Sequence, residues 1–119
     1  MYGFVRIAAV AFAVAGAMEM TLTTANAEAL RIAVVTADNK ADYDNNVALL
    51  PGFAALLKKG AGVKGVYVGV DADKMSITTS SAWGSASDVS AVTDSADWKA
   101  LAAKLKAKTY TSEVFEIVP

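Results

Sequence analysis

The sequence predicts an α+β domain in which four antiparallel strands form one sheet and two helical stretches cover one of its faces. Three observations lead to this prediction. β-branched and aromatic residues concentrate in four short stretches, apolar residues at helical spacing concentrate in two others, and these stretches alternate in the order β, α, β, β, α, β. This order is the split βαβ arrangement of the ferredoxin-like fold.

The first strand and the first helix open this order. Residues 30–36 (LRIAVVT) are rich in β-branched side chains, and the polar cluster at residues 38–46 predicts a loop after them. Proline is tolerated in the first turn of a helix but not in its interior, so Pro51 predicts a helix over residues 51–59. Two glycines shortly after Lys59 should end it.

A β-hairpin follows the first helix. Residues 63–70 (VKGVYVGV) alternate valines with glycine and tyrosine at a period of two, which is typical of a strand. Residues 71–74 have turn chemistry, and residues 75–83 (MSITTSSAW) alternate again. The two strands should therefore pair directly.

The last third of the sequence predicts a two-part helical stretch and a final strand. A short helix is expected within residues 84–93. Ser95 should cap a longer helix whose apolar stripe includes Trp98 and whose last turn holds the lysines up to Lys108. Residues 109–118 (TYTSEVFEIV) are rich in β-branched and aromatic residues and should form the last strand.

The N-terminus has the order of a secretory signal peptide. Arg6 precedes the apolar run of residues 7–17, and a polar segment then closes on an Ala-Asn-Ala tripeptide ending at Ala27. A transmembrane helix needs about 20 apolar residues, so this run is too short. We expect a signal peptide at residues 1–27, cleavage after Ala27, and a single domain at residues 28–119 in the periplasm or the medium. The alternatives are a buried core helix and a retained leader that anchors an accessory subunit of a membrane complex.

Composition limits the partners of this domain. Without Arg6 and Glu19 of the leader, ten basic and eleven acidic residues remain, and this near balance argues against a nucleic-acid-binding surface. The chain has no cysteine, so a domain this small cannot be stabilised by disulfides. It must rely on its core or on another copy, which favours a homodimer.

The chain resembles the dimeric α+β barrel superfamily, which includes the antibiotic biosynthesis monooxygenase-like proteins. The resemblance rests on the element order, on GVKGVYVGV entering the second strand, on Trp83 ending the third strand, and on the stretch SASDVSAVTDSADWKALAAKL. It implies a homodimer whose sheets form a barrel, with a small pocket between sheet and helices in each subunit. Haem-using members are a poor match, because this chain has no histidine to serve as the usual haem ligand.

Aromatic residues are the candidates for ligand binding. Five could line a pocket for a planar ligand, and the resemblance implies that a tyrosine and a tryptophan near the sheet would hold a phenolic substrate. Trp83 and Trp98 could equally be core residues, and Tyr67 could lie in the dimer interface. The five are Tyr43, Tyr67, Trp83, Trp98 and Tyr110, of which the first four form the candidate set.

Metal and nucleophile chemistry find little support. Without histidine or cysteine, zinc and copper are not expected, and neither is a cofactor. Asp42 and Asp44 begin like a calcium loop, but the glycine and the final acidic residue of such a loop are replaced by Val47 and Phe53. The serines have no histidine to act as their base.

Three functions stay open at this level. The leading one is an exported, dimeric ligand-binding module without metal or haem. The second is a cofactor-independent monooxygenase of a quinol or polyphenol, in which an aromatic residue orients the substrate and an aspartate takes its proton. The third is the anchored accessory subunit. The residues name no catalytic group.

Overall fold

The computed structural model describes residues 28–118 of the chain. The predicted signal peptide and its alternatives fall on residues 1–27, outside the described residues. Within the described range the elements are β1 (Ala29–Thr36), α1 (Lys40–Lys58), β2 (Val63–Asp71), β3 (Ser76–Trp83), α2 (Ala86–Thr93), α3 (Ala96–Ala102) and β4 (Thr109–Glu116).

The four strands form one antiparallel sheet in the order β2-β3-β1-β4. This confirms the predicted α+β, ferredoxin-like architecture and the β2-β3 hairpin, and all four strands lie within two residues of their predicted bounds. The central strand β1 pairs with β3 on one side and with β4 on the other. Arg31, the third residue of β1, therefore lies between Ser81 of β3 and Val114 of β4.

The helices pack on a single face of the sheet. Alternate residues of β1 and β3 point to this face, and two core clusters lie between them and the helices. The opposite face, which carries Leu30, Ile32 and Val34 of β1, contributes to neither cluster. The clusters consist of Ala29, Phe53, Leu57, Trp83, Val89 and Trp98, and of Val35, Ala37, Tyr43, Leu50 and Ile77.

Helix α1 begins eleven residues before the predicted start, so the loop prediction for residues 38–46 is wrong from Lys40 onward. Asn39 is the N-cap, and its Oδ1 accepts a hydrogen bond from the backbone N–H of Asp42 at 2.9 Å. Lys40 pairs with Asp44 one turn later, at 2.9 Å. Pro51 lies inside the helix, where it removes one backbone hydrogen bond. The polar residues thus form a capped first turn rather than a loop.

Helix α3 is shorter than predicted, because it ends at Ala102 rather than near Lys108. Its predicted cap is confirmed, since Ser95 Oγ accepts the backbone N–H of Trp98 at 3.2 Å. The lysine-rich segment that follows is held by Asn46 of α1. The Asn46 amide donates to the carbonyl of Lys106 at 3.0 Å and accepts its N–H at 2.9 Å. These bonds satisfy the Lys106 backbone outside a helix.

The helices of residues 28–118 include none that is both long enough and apolar enough to cross a membrane.

Candidate functional site

A half-open cleft lies between the sheet and helices α1 and α3. Its volume is about 20 Å³, which is room for one or two water-sized groups. Most of its wall is apolar, and the polar residues that line it are one arginine, two threonines and one tyrosine. The lining residues are Arg31, Ala33, Val35, Phe53, Ile77, Thr78, Thr79, Trp98, Leu105 and Tyr110.

Arg31 is the charged residue of this cleft. Its position on β1 directs the side chain to the helix side of the sheet, where it is only 2% exposed. One guanidinium nitrogen, Nη1, donates to Thr79 Oγ1 at 3.1 Å, and Nη2 donates to Tyr110 OH at 3.4 Å. The guanidinium carbon lies 5.0 Å from the centroid of the Trp98 ring, within the range of a cation–π contact.

The charge of Arg31 has no carboxylate partner in the part of the chain that the structure describes. Burial lowers the pKa of the Arg31 guanidinium, and the nearby Tyr110 opposes this shift. An arginine still keeps its proton at neutral pH. Hydroxyl dipoles and a ring face compensate a buried cation less well than an anion does, so Arg31 makes the cleft attractive to negative charge.

Trp98 and Phe53 form the aromatic wall opposite the sheet. Their ring centroids are 4.9 Å apart and the ring planes meet at 66°, which is the edge-to-face geometry that aromatic pairs favour. Ser95 fixes the position of Trp98, because its hydroxyl caps α3 and also donates to the carbonyl of Val92 at 2.6 Å. The ring that faces Arg31 is thus held by a helix cap and a core contact.

Leu105 closes one side of the cleft from the segment after α3. Two asparagines of α1 hold this segment from both sides of Leu105. Asn45 donates to the carbonyl of Lys104 at 3.0 Å, and Asn46 binds the backbone of Lys106. The residues that the sequence assigned to a solvated loop therefore set the position of a cleft wall.

The four candidate aromatic residues do not meet in one place. Trp98 lines the cleft, whereas Tyr43 lies in the neighbouring core cluster. Trp83 is 0% exposed and donates from Nε1 to Ser81 Oγ at 2.7 Å, so it fills the core at the far end of the sheet. Tyr67 lies on the other sheet face, because it pairs with Ser80 rather than with a residue of the helix side.

Arg31 is the cleft residue that the sequence reasoning missed, whereas Tyr110 belonged to the wider aromatic set. The signal was present, because Arg31 is the single charge within the predicted first strand LRIAVVT. A charged residue is almost never fully buried without a partner. A charge at this position therefore indicated either that one face of the strand is open to solvent or that Arg31 belongs to a functional site.

Comparisons with known proteins agree with the fold. No protein-family model and no curated protein sequence matches the chain. Among solved structures, the chain is similar to SnoaB from Streptomyces nogalater, a cofactor-independent oxygenase, with a TM-score of 0.60 at 15% identity over 75% of this chain and 91% of that chain.

Two further structures are described as candidate antibiotic biosynthesis monooxygenases. The one from Deinococcus radiodurans has a TM-score of 0.68 at 10% identity and covers 76% of this chain and 93% of its own. The one from Nitrosomonas europaea has a TM-score of 0.64 at 11% identity and covers 80% and 94%. The chain thus shares the fold of these solved structures.

Proposed function

We propose that the chain is a small-molecule-binding module of the dimeric α+β barrel type, and that its ligand lies in the cleft between sheet and helices. One observation carries this proposal: Arg31, Thr79 and Tyr110 converge in a cleft whose other walls are almost entirely apolar. Apolar walls with a few polar groups at fixed positions are typical of small-molecule sites. The Trp98 ring beside them suits a planar ligand.

Binding without chemistry is favoured over the monooxygenase alternative. Oxygenation of a quinol or polyphenol needs a group that takes the proton of the substrate. The cleft-lining residues within 28–118 include no aspartate, glutamate or histidine. The likeness to SnoaB concerns the fold, so the base would have to come from outside this lining.

The proposed module is an exported homodimer. The homodimer is supported by the small size of the domain and by the absence of cysteine, because such a domain must be stabilised by its core or by another copy. Export rests on the signal-peptide pattern ending at Ala27. Intact mass of the chain from its native host tests it, because cleavage leaves a species that begins at Glu28.

Thermal melts of the purified protein with a panel of planar aromatic compounds test the binding function. We expect at least one compound to raise the melting temperature of the wild type. The variant Ala33→Leu fills the cleft beside Arg31 and should abolish this shift. Ala41→Leu, at an exposed position of α1, is the matched control and should keep it. Stabilisation that survives in Ala33→Leu would place the ligand elsewhere and refute the proposal.

A further inference from the structure

We infer that the ligand of this cleft is an aromatic monocarboxylate whose carboxylate group binds Arg31. This inference rests on the proposed binding function and adds the chemical class of the ligand. It starts from the hydrogen bonds of Arg31. A guanidinium has five N–H donors, and the described residues accept two of them, through the hydroxyls of Thr79 and Tyr110. Its fork geometry matches the two oxygens of a carboxylate.

The charge of the ligand follows from the lining of the cleft. Arg31 is its single cation among the described residues, and the walls around it are the apolar side chains of Ala33, Val35, Phe53 and Ile77. A dianion such as a phosphate monoester would bring a second charge that nothing in this lining compensates. One buried cation in an apolar wall therefore selects a monoanion.

The size of the ligand follows from the shape of the cleft. The cleft has a volume of about 20 Å³, which suits two carboxylate oxygens but not an aromatic ring. The ring must then lie at the mouth of the cleft, which Tyr110 borders with a side chain that is 49% exposed. Leu105, which is half-buried, offers it an apolar surface there. The carboxylate thus lies in the interior of the cleft, and the ring lies at its mouth.

Arg31 should matter more to binding than to stability. A buried charge without an anionic partner costs free energy, and its replacement by an apolar side chain of similar length is often neutral or stabilising. A structural arginine would behave in the opposite way, because its removal would weaken the fold. The melting temperature of Arg31→Met without ligand therefore separates the two roles.

Isothermal titration with 2-naphthoate and with its neutral isostere 2-naphthamide tests the inference on protein expressed from the full chain. Charge-assisted hydrogen bonds should make the wild type bind the naphthoate about 10-fold to 100-fold more tightly than the amide. Arg31→Met should remove this preference while melting within about 5 °C of the wild type. Arg31→Lys should keep part of it. Lys99→Met, which removes one exposed cation from α3, should bind like the wild type.

The outcomes separate the two proposals. Equal affinity of the wild type for both compounds would overturn the anion inference and leave the binding function intact. A preference that persists in Arg31→Met would also overturn it, and so would an Arg31→Met melting temperature lower by more than about 10 °C. Failure of both compounds to bind at millimolar concentration would overturn the inference, whereas the binding function would fall only if the whole aromatic panel gave no shift.

Discussion

Trp83 offers the sharpest test of how the core and the cleft are divided. Its ring is 0% exposed and is the largest side chain that residues 28–118 bury completely. It packs in the cluster of Phe53, Leu57 and Val89 at the end of the sheet where β3 stops. If this assignment is right, Trp83→Ala changes stability, and binding in the cleft depends on Trp98 instead.

The expected loss follows from packing and from one hydrogen bond. Truncating a buried tryptophan to alanine costs about 3–5 kcal/mol, because the surrounding side chains refill the cavity only in part. The change also removes the N–H that Trp83 donates to the fully buried Ser81 hydroxyl, which adds about 1 kcal/mol. A loss of about 4–6 kcal/mol is a large part of the stability of about 5–15 kcal/mol that small domains have.

Urea denaturation of the wild type, Trp83→Ala and Trp98→Ala measures this loss. Trp98→Ala is the matched control, since its indole is also buried but lies at a half-open cleft that water can enter. It should lose at least about 1 kcal/mol less than Trp83→Ala. A loss below about 2 kcal/mol for Trp83→Ala, or a larger loss for Trp98→Ala, would refute the division between core and cleft.

Three further predictions follow from the same contacts. Gly60→Ala should destabilise by about 1–3 kcal/mol in urea, because a Cβ there would come within 2.6 Å of the buried Trp83 ring, whereas Gly69→Ala should cost less because its nearest neighbour lies at 3.4 Å. Asn46→Ala should lower the free energy of unfolding by about 2–4 kcal/mol, since it leaves the N–H and carbonyl of Lys106 unpaired. A loss under about 1 kcal/mol would contradict the role of Asn46 in holding the segment after α3. Light scattering at micromolar concentration should give a dimer for the wild type, and a monomeric wild type would contradict the proposed homodimer.

The strands could be predicted because their signal is local. Alternation at a period of two marks which residues share a face. The structure confirms it in β2, where Val66 and Val68 point to one face of the sheet and Tyr67 points to the other. Turn residues mark the ends of the strands. The cap of α3 could also be predicted, because Ser95 accepts a backbone N–H within its own turn.

The helix bounds and the cleft could not be predicted because they depend on contacts between distant segments. Asn46 lies 60 residues from Lys106 in the sequence, and their two hydrogen bonds hold the backbone of Lys106 outside a helix. Pro51 predicted the wrong first residue for α1, because a long helix tolerates the loss of one hydrogen bond when its other turns are packed. Arg31 can be recognised as a cleft residue only once the fold places Trp98 and Tyr110 beside it.

Nuclear magnetic resonance of the nitrogen-15-labelled protein tests the central claim that the helix-side cleft is the ligand site. The chain has two tryptophans, so its indole N–H signals report the cleft through Trp98 and the closed core through Trp83. During titration with 2-naphthoate, the Trp98 indole and the side-chain Nε–H of Arg31 should shift in a saturable way, and the Trp83 indole should stay in place. Saturable shifts at the Trp83 indole or on the opposite sheet face, with Trp98 and Arg31 unchanged, would contradict the account.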